Sequence, residues 1–222
     1  MWIYMKITID NVTKKLSGNA VLDQINLTFE SGNVYGLIGK NGSGKTMLMR
    51  LVSGLIVATE GQITIDGRML GKELSFPESI GILIESPGFI PSYSGFQNLK
   101  FLAQIKGILS DKDIWETLTQ VGLDPDDKKS FRKYSLGMKQ KLGIAAAIME
   151  NPRILILDEP FNALDEETAD KIREIIQCAK DEERIVILAC HDREEIENLC
   201  DVTVEIKAGK ITKITGSDFN EV

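Results

Sequence analysis

The chain has 222 residues with 26 basic and 33 acidic side chains, so its net charge is −7. That length allows one large domain or two small ones with a substantial core, and the acidic balance argues against a grip on nucleic-acid backbone. No apolar run reaches the ~18 to 20 residues of a membrane span and no basic region opens onto an apolar leader, so a cytoplasmic protein is expected.

Met5 to Val12 alternates apolar and polar residues, as does Ile25 to Glu30, and both are predicted to be half-buried strands. After the turn Ser31-Gly32-Asn33, Val34 to Ile38 reads as a buried strand. It leads into Gly39-Lys40-Asn41-Gly42-Ser43-Gly44-Lys45-Thr46, which fits the phosphate-binding pattern G-x-x-x-x-G-K-[ST] at every fixed position. Glycines are needed there because backbone N–H groups can wrap a triphosphate only where no side chain blocks the approach. Lys45 supplies a cation for the β- and γ-phosphates, Thr46 a hydroxyl for Mg²⁺, and the helix predicted over Met47 to Val52 points its positive end at the anion. By chance the pattern would occur in roughly one chain of this length in a hundred, and the strand before and helix after lower that further.

Gln62 to Gly67 is a further alternating segment, and Ile80 to Ile84 ends in Glu85. From Ser86 a loop marked by Pro87, Gly88, Pro91 and Gly95 introduces a helical insert, with helices predicted over Phe96 to Ile108 and Asp111 to Val121. Asp124 to Lys129 is a charged connection. Ser135 can cap a helix over Met138 to Met149, whose Met138, Leu142, Ala145, Ala146 and Met149 share one face.

Ile154 to Leu157 is an unbroken apolar run, typical of a strand covered on both faces, and it ends in Asp158-Glu159. Beside a phosphate loop, Asp158 can hold Mg²⁺ and Glu159 can orient or deprotonate an attacking water. Glu166 to Lys180 is an amphipathic helix, Ile185 to Ala189 a buried strand closed by Cys190 and His191, Arg193 to Leu199 a short helix, and Val202 to Ile214 a hairpin turning at Ala208-Gly209. Cys178, Cys190 and Cys200 show no paired spacing and lie in apolar patterns, so buried thiols are expected rather than ligands or disulfides.

In this order the residues resemble the ATP-binding subunit of an ABC transporter, from about Met5 to Ile214. The resemblance implies an α/β P-loop fold of the ABC type: a mostly parallel core sheet with an antiparallel β edge (1–85 and 151–222) and an inserted helical subdomain (86–150), all in one ATPase domain. It identifies Gly39 to Thr46 as Walker A, Ile154 to Glu159 as Walker B with the catalytic glutamate, and Asn162-Ala163-Leu164-Asp165 as the D-loop. Tyr134-Ser135-Leu136-Gly137-Met138 resembles the signature, and His191 falls on the switch histidine.

It further implies ATP and Mg²⁺, with Lys45, Glu159 and His191 catalytic. Gly39, Asn41, Gly42, Ser43, Gly44, Lys45, Thr46 and Met47 would hold the nucleotide, and Thr46, Glu85 and Asp158 the metal. Each ATP would lie between two chains, facing Ser135 and Gly137 of the other copy in a homodimer or of a related ATPase in a heterodimer. A separate integral membrane permease would keep the pair on the inner face of the membrane.

Four departures from the family pattern stand out. Met47 replaces a second hydroxyl residue, Leu16 stands near the place of the aromatic that stacks on adenine, Leu136 and Met138 alter the signature, and Glu85 replaces a glutamine. Ile84 to Phe89 with Asn98-Leu99 resembles the bacitracin and lantibiotic export or immunity branch, which implies export of a peptide antibiotic or similar amphiphile. The alternative is an ABC ATPase serving a non-transport partner, although no second cassette, coiled coil or basic arm supports it. A nucleotide-binding module without turnover is opposed by Glu159 and His191.

Overall fold

The computed structural model describes residues 4–85 and 88–216. Ser86 and Pro87, read above as the start of a loop, lie outside the described residues.

Among the described residues ten strands fall into two sheets. β1 (Lys6–Leu16), β2 (Asn19–Glu30), β4 (Glu60–Ile65) and β5 (Arg68–Met69) form an antiparallel sheet in the order β2-β1-β4-β5. The other sheet has the order β10-β9-β3-β8-β7-β6 and comprises β3 (Asn33–Ile38), β6 (Ile80–Leu83), β7 (Ile154–Asp158), β8 (Ile185–Ala189), β9 (Val202–Lys207) and β10 (Lys210–Gly216). It is parallel from β9 to β6, and only β10 runs antiparallel, as the second arm of the hairpin. The expected parallel core is therefore present, while the N-terminal strands make a sheet of their own rather than an edge of it.

The period of two along the central strands explains why both faces of the parallel sheet are covered. Ile154 and Ile156 of β7, with Ile185 and Ile187 of β8 and Tyr35 and Leu37 of β3, pack toward the antiparallel sheet and helix α1 (Lys45–Val52). Leu155 and Leu157, with Val186, Leu188 and Val34, face the opposite way. That second core holds Ile172 and Ile176 of α5 (Glu166–Asp181) and Ile196 of α6 (Arg193–Leu199). It continues without interruption into Leu99 of α2 (Gly95–Lys106), Ile114 and Leu118 of α3 (Asp111–Gln120), and Leu142 and Ile144 of α4 (Leu136–Ile148). The helical segment thus shares a core with the sheet. Helices α2 and α3 begin with capping boxes built on Ser94 with Gln97 and on Ser110 with Asp113.

Several elements differ in extent from expectation. Helix α1 starts at Lys45 and α4 at Leu136, each about two residues before the apolar pattern. The buried residues of α4, Leu142, Ile144, Ala145 and Ala147, do not follow the single expected face, because the helix is enclosed on several sides. Cys178 is a correction: it is exposed, on the solvent side of α5 beyond Glu174, while Cys190 and Cys200 are half-buried. All three are free, and burial pushes the Cys200 thiol up to about 12.

Candidate functional site

Strand β3 delivers the chain into a loop whose shape requires glycine. A Cβ on Gly39 would run into the carbonyl of Ile206 and the hydroxyl of Ser43, and Gly42 and Gly44 have φ of 76° and 116°. The turn between β9 and β10 buttresses this loop, since Gly209 N–H donates to the Ser43 carbonyl and Asp23 N–H donates to the Gly209 carbonyl, both at 2.9 Å. Ala208 and Gly209 both take positive φ there, as the predicted hairpin turn demands.

Three polar groups of the loop are poised for an anion. The Ser43 hydroxyl is buried without a hydrogen-bond partner, a costly state unless something is meant to fill it. Lys45 is buried, and its ammonium donates to the carbonyls of Gly39 at 2.6 Å and Lys40 at 3.4 Å. These are neutral acceptors that phosphate oxygens would outcompete. Gly44 is the N-cap of helix α1, which has no acidic residue in its first turn, so its positive end is uncompensated.

The parallel sheet brings the carboxylates to the same place. Thr46 donates its hydroxyl to Asp158 Oδ2 at 2.8 Å, linking the first turn of α1 to the end of β7. Glu159 follows at φ 52°, an unusual conformation for a non-glycine residue. Its N–H donates to the Ala189 carbonyl at 2.8 Å, and its own carbonyl accepts from Gln140 Nε2 of α4 at 2.7 Å. So held, the Glu159 carboxylate accepts from the His191 N–H at 3.2 Å and lies 3.4 Å from His191 Nε2. Burial raises the Glu159 pKa, with the neighbouring Asp158 charge acting in the same sense. The charge and backbone N–H of His191, and the charge of Lys45, oppose the rise.

One cavity of about 330 Å³ is lined by Val21, Asn41 to Met47, Asp158, Glu159 and His191. Gly39 borders an adjoining cavity of about 720 Å³ that shares Asn41, Gly42, Ser43 and His191. Most of the residues expected to bind nucleotide or act in catalysis are therefore together.

Four are elsewhere. Leu16, at the end of β1, is 45% exposed and does not line either cavity, whereas Val21 of β2 does. Glu85 is 62% exposed and ion-paired to Arg50 at 2.6 Å. Ser135 caps α4, accepting from Met138 N–H at 3.2 Å, and Gly137 packs so closely that a Cβ would lie 2.6 Å from the Ala163 carbonyl. Ser135 and the 67% exposed Leu136 are open to solvent and line neither cavity.

Sequence reasoning missed Gln140, Val21 and Arg50. Val21 was recoverable, since β2 begins at Asn19, but Gln140 and Arg50 act through tertiary contacts that leave no local pattern.

Residues 22–162 match the ABC transporter family. An uncharacterised ABC transporter ATP-binding protein of Bacillus subtilis, YybJ, is 48% identical over 92% of this chain and 94% of its own length. The lantibiotic transport ATP-binding protein SrtF of Streptococcus pyogenes is 37% identical over 92% of this chain and 88% of its own. The bacitracin transport ATP-binding protein BcrA of Enterococcus faecalis is 37% identical over 93% and 68%. MJ0796, a bacterial ABC transporter cassette solved as a dimer, superposes with a TM-score of 0.85 at 24% identity, covering 96% of this chain and 100% of that one, a likeness that speaks to the fold. With the phosphate loop, the paired carboxylates and the parallel sheet that joins them, these likenesses place the chain in the ABC transporter family, as one of its ATP-binding domains.

Proposed function

We propose that this chain hydrolyses ATP as one half of a dimer and drives a separate membrane permease, as an exporter of peptide antibiotics or similar amphiphiles. The observation that carries the reading is the convergence of Lys45, Thr46, Asp158, Glu159 and His191 on one cavity beneath the glycine loop. The relatives named for bacitracin and lantibiotic transport support the choice of cargo.

In this reading the loop N–H groups and the Ser43 hydroxyl bind the phosphates, and Lys45 exchanges its carbonyl acceptors for phosphate oxygens. Mg²⁺, when bound, supplies positive charge at the β- and γ-phosphates. Thr46 and Asp158 are the residues to hold it. Among the described residues no three carboxylate, thiol or imidazole groups converge to hold a metal unaided, so the rest of its shell falls to nucleotide and water.

Glu159 orients a water and takes its proton as the water oxygen bonds to the γ-phosphorus and the bond to the bridging oxygen breaks. His191 holds the glutamate by its backbone N–H and biases its charge state. Exposed Ser135 and half-buried Gly137, at the start of α4, would be offered to the ATP of a second chain. Residues 86–150 would act as the helical subdomain that carries them, and no helix among the described residues is long and apolar enough to cross a membrane.

Glu159→Gln tests this directly, because the amide keeps the shape but cannot act as a base. ATP binding should persist, turnover should fall by about 10²-fold or more, and size-exclusion chromatography with ATP should show a stable dimer. A variant that stays monomeric at saturating ATP and Mg²⁺ while the parent dimerises would remove Glu159 from this role.

A further inference from the structure

Glu85 leaves the sheet two residues beyond Leu83 of β6, which pairs with Leu157, the residue before Asp158. A third carboxylate thus emerges beside the strand end that already carries Asp158 and Glu159. Its partner is Arg50 of α1, with Nη2 2.6 Å from Oε1. Arg50 lies one helical turn beyond Thr46, on the same face of α1. Consecutive turns of the phosphate-loop helix therefore hold two adjacent strand ends, Asp158 through Thr46 and Glu85 through Arg50.

We propose that Arg50 is a positioning residue for Glu85, cancelling the carboxylate's charge and holding it at the flank of α1, so that a glutamate can stand beside the triphosphate site without repelling nucleotide. The proposal rests on the ATP site described above. An ionised glutamate has acceptors only and adds a full negative charge, where a glutamine offers a neutral carbonyl oxygen. Left alone, that charge would add to those of Asp158 and Glu159 against a polyanion. Glu85 also has φ 61°, in the left-handed region, and the single Arg50 Nη2 contact orients its carboxylate toward α1.

The pair is open to solvent, with side chains 33% and 62% exposed, and such pairs contribute little to folding stability. Its loss should therefore show in nucleotide binding and not in melting temperature. A purely structural Arg50 would give the reverse.

The experiment measures ATP affinity in EDTA and across a Mg²⁺ titration for the parent, Arg50→Gln, Glu85→Gln, the double variant and Arg50→Lys. Arg50→Gln should weaken metal-free ATP binding by about 3- to 10-fold and change binding at saturating Mg²⁺ by less than about 2-fold. Glu85→Gln alone should bind metal-free ATP no more weakly than the parent, adding Arg50→Gln to it should cost much less than in the parent, and Arg50→Lys, which keeps the charge, should resemble the parent. A loss that persists undiminished when Glu85 is also glutamine, or that is equal with and without Mg²⁺, overturns the proposal. A parent that binds no ATP in either condition overturns the site reading beneath it.

Discussion

The phosphate-loop end of the parallel sheet and the start of α4 are both polar, glycine-bearing helix beginnings, yet the chain treats them differently. At the first, groups from β3, α1, β7 and the segment after β8 interlock: Thr46 with Asp158, Glu159 with His191 and Lys45 with Gly39. At the second, Ser135 satisfies one N–H of its own helix, Leu136 is 67% exposed, and the nearest intimate neighbour is the Ala163 carbonyl behind Gly137. One is a nearly finished pocket and the other a solvent-exposed helix start. In the proposed dimer the two would be halves of one site, each chain closing the other's pocket.

Complementation between variants of the two regions should give the largest effect. Lys45→Ala and Ser135→Arg should each lower ATPase activity by on the order of 10²-fold, the size of effect seen when a preorganised phosphate or oxyanion contact is lost. Mixed together, they should recover activity, because a heterodimer has one site with both groups intact. ATPase rates of the separate and mixed variants decide it. If the mixture stays as inactive as its components, the two regions act within one chain or not in one site.

A second test concerns the interlocked half. Burial raises the Glu159 pKa above the usual carboxylate value, and the charge of His191 lowers it. A base must be deprotonated, so the acid limb of kcat/KM should lie above pH 4.5, the ordinary glutamate value. His191→Ala removes the opposing charge and should move that limb to higher pH, besides reducing kcat by about 10- to 100-fold. A pH profile displaced to lower pH would show that the imidazole does not stabilise the carboxylate.

The closed half was legible in the sequence because its signals are local. The glycines and Lys45 occupy fixed spacings, and Ile154 to Leu157 and Ile185 to Ala189 are unbroken apolar runs, as strands covered on both faces must be. The antiparallel sheet was harder to read. Asn11 and Gln24 take positive φ and the β1–β2 register shifts at three points, so bulges interrupt the alternation by which strands are recognised. β5 has only two residues, too few for any period. The pairing of Glu85 with Arg50 and the clamp of Gln140 on Glu159 join residues 35 and 19 positions apart, and nothing in the neighbouring sequence announces them.

A smaller effect probes how the open half is tied to the body of the molecule. The Cβ of Gly137→Ala would sit 2.6 Å from the Ala163 carbonyl, so the start of α4 or the segment before α5 must shift. Overpacking of this kind costs about 1–3 kcal/mol, read as a lower melting temperature. ATP-dependent dimerisation should weaken with it, while ATP binding to the single chain, which uses the other half, should be unchanged. Equal loss of both would mean that the two regions are coupled within one chain.

The smallest effect concerns Leu16, which lies at the rim of the antiparallel sheet and contributes to neither half as it stands. It ends β1 just before Ser17 and Gly18, both at positive φ, and its exposed side chain lines neither cavity. An aromatic ring there would add stacking worth about 1 kcal/mol, and leucine supplies only a weaker apolar contact. ATP should accordingly be preferred to GTP by much less than about 100-fold, since each factor of ten needs ~1.4 kcal/mol of discriminating contact. Leu16→Tyr should tighten both nucleotides by roughly 3- to 5-fold without shifting the melting temperature, because the residue takes no part in the core. Nucleotide titrations of parent and variant decide it. If the substitution leaves both affinities unchanged, the base lies against Val21, the residue of this sheet that does line the cavity, and the adenine contact belongs to the closed half after all.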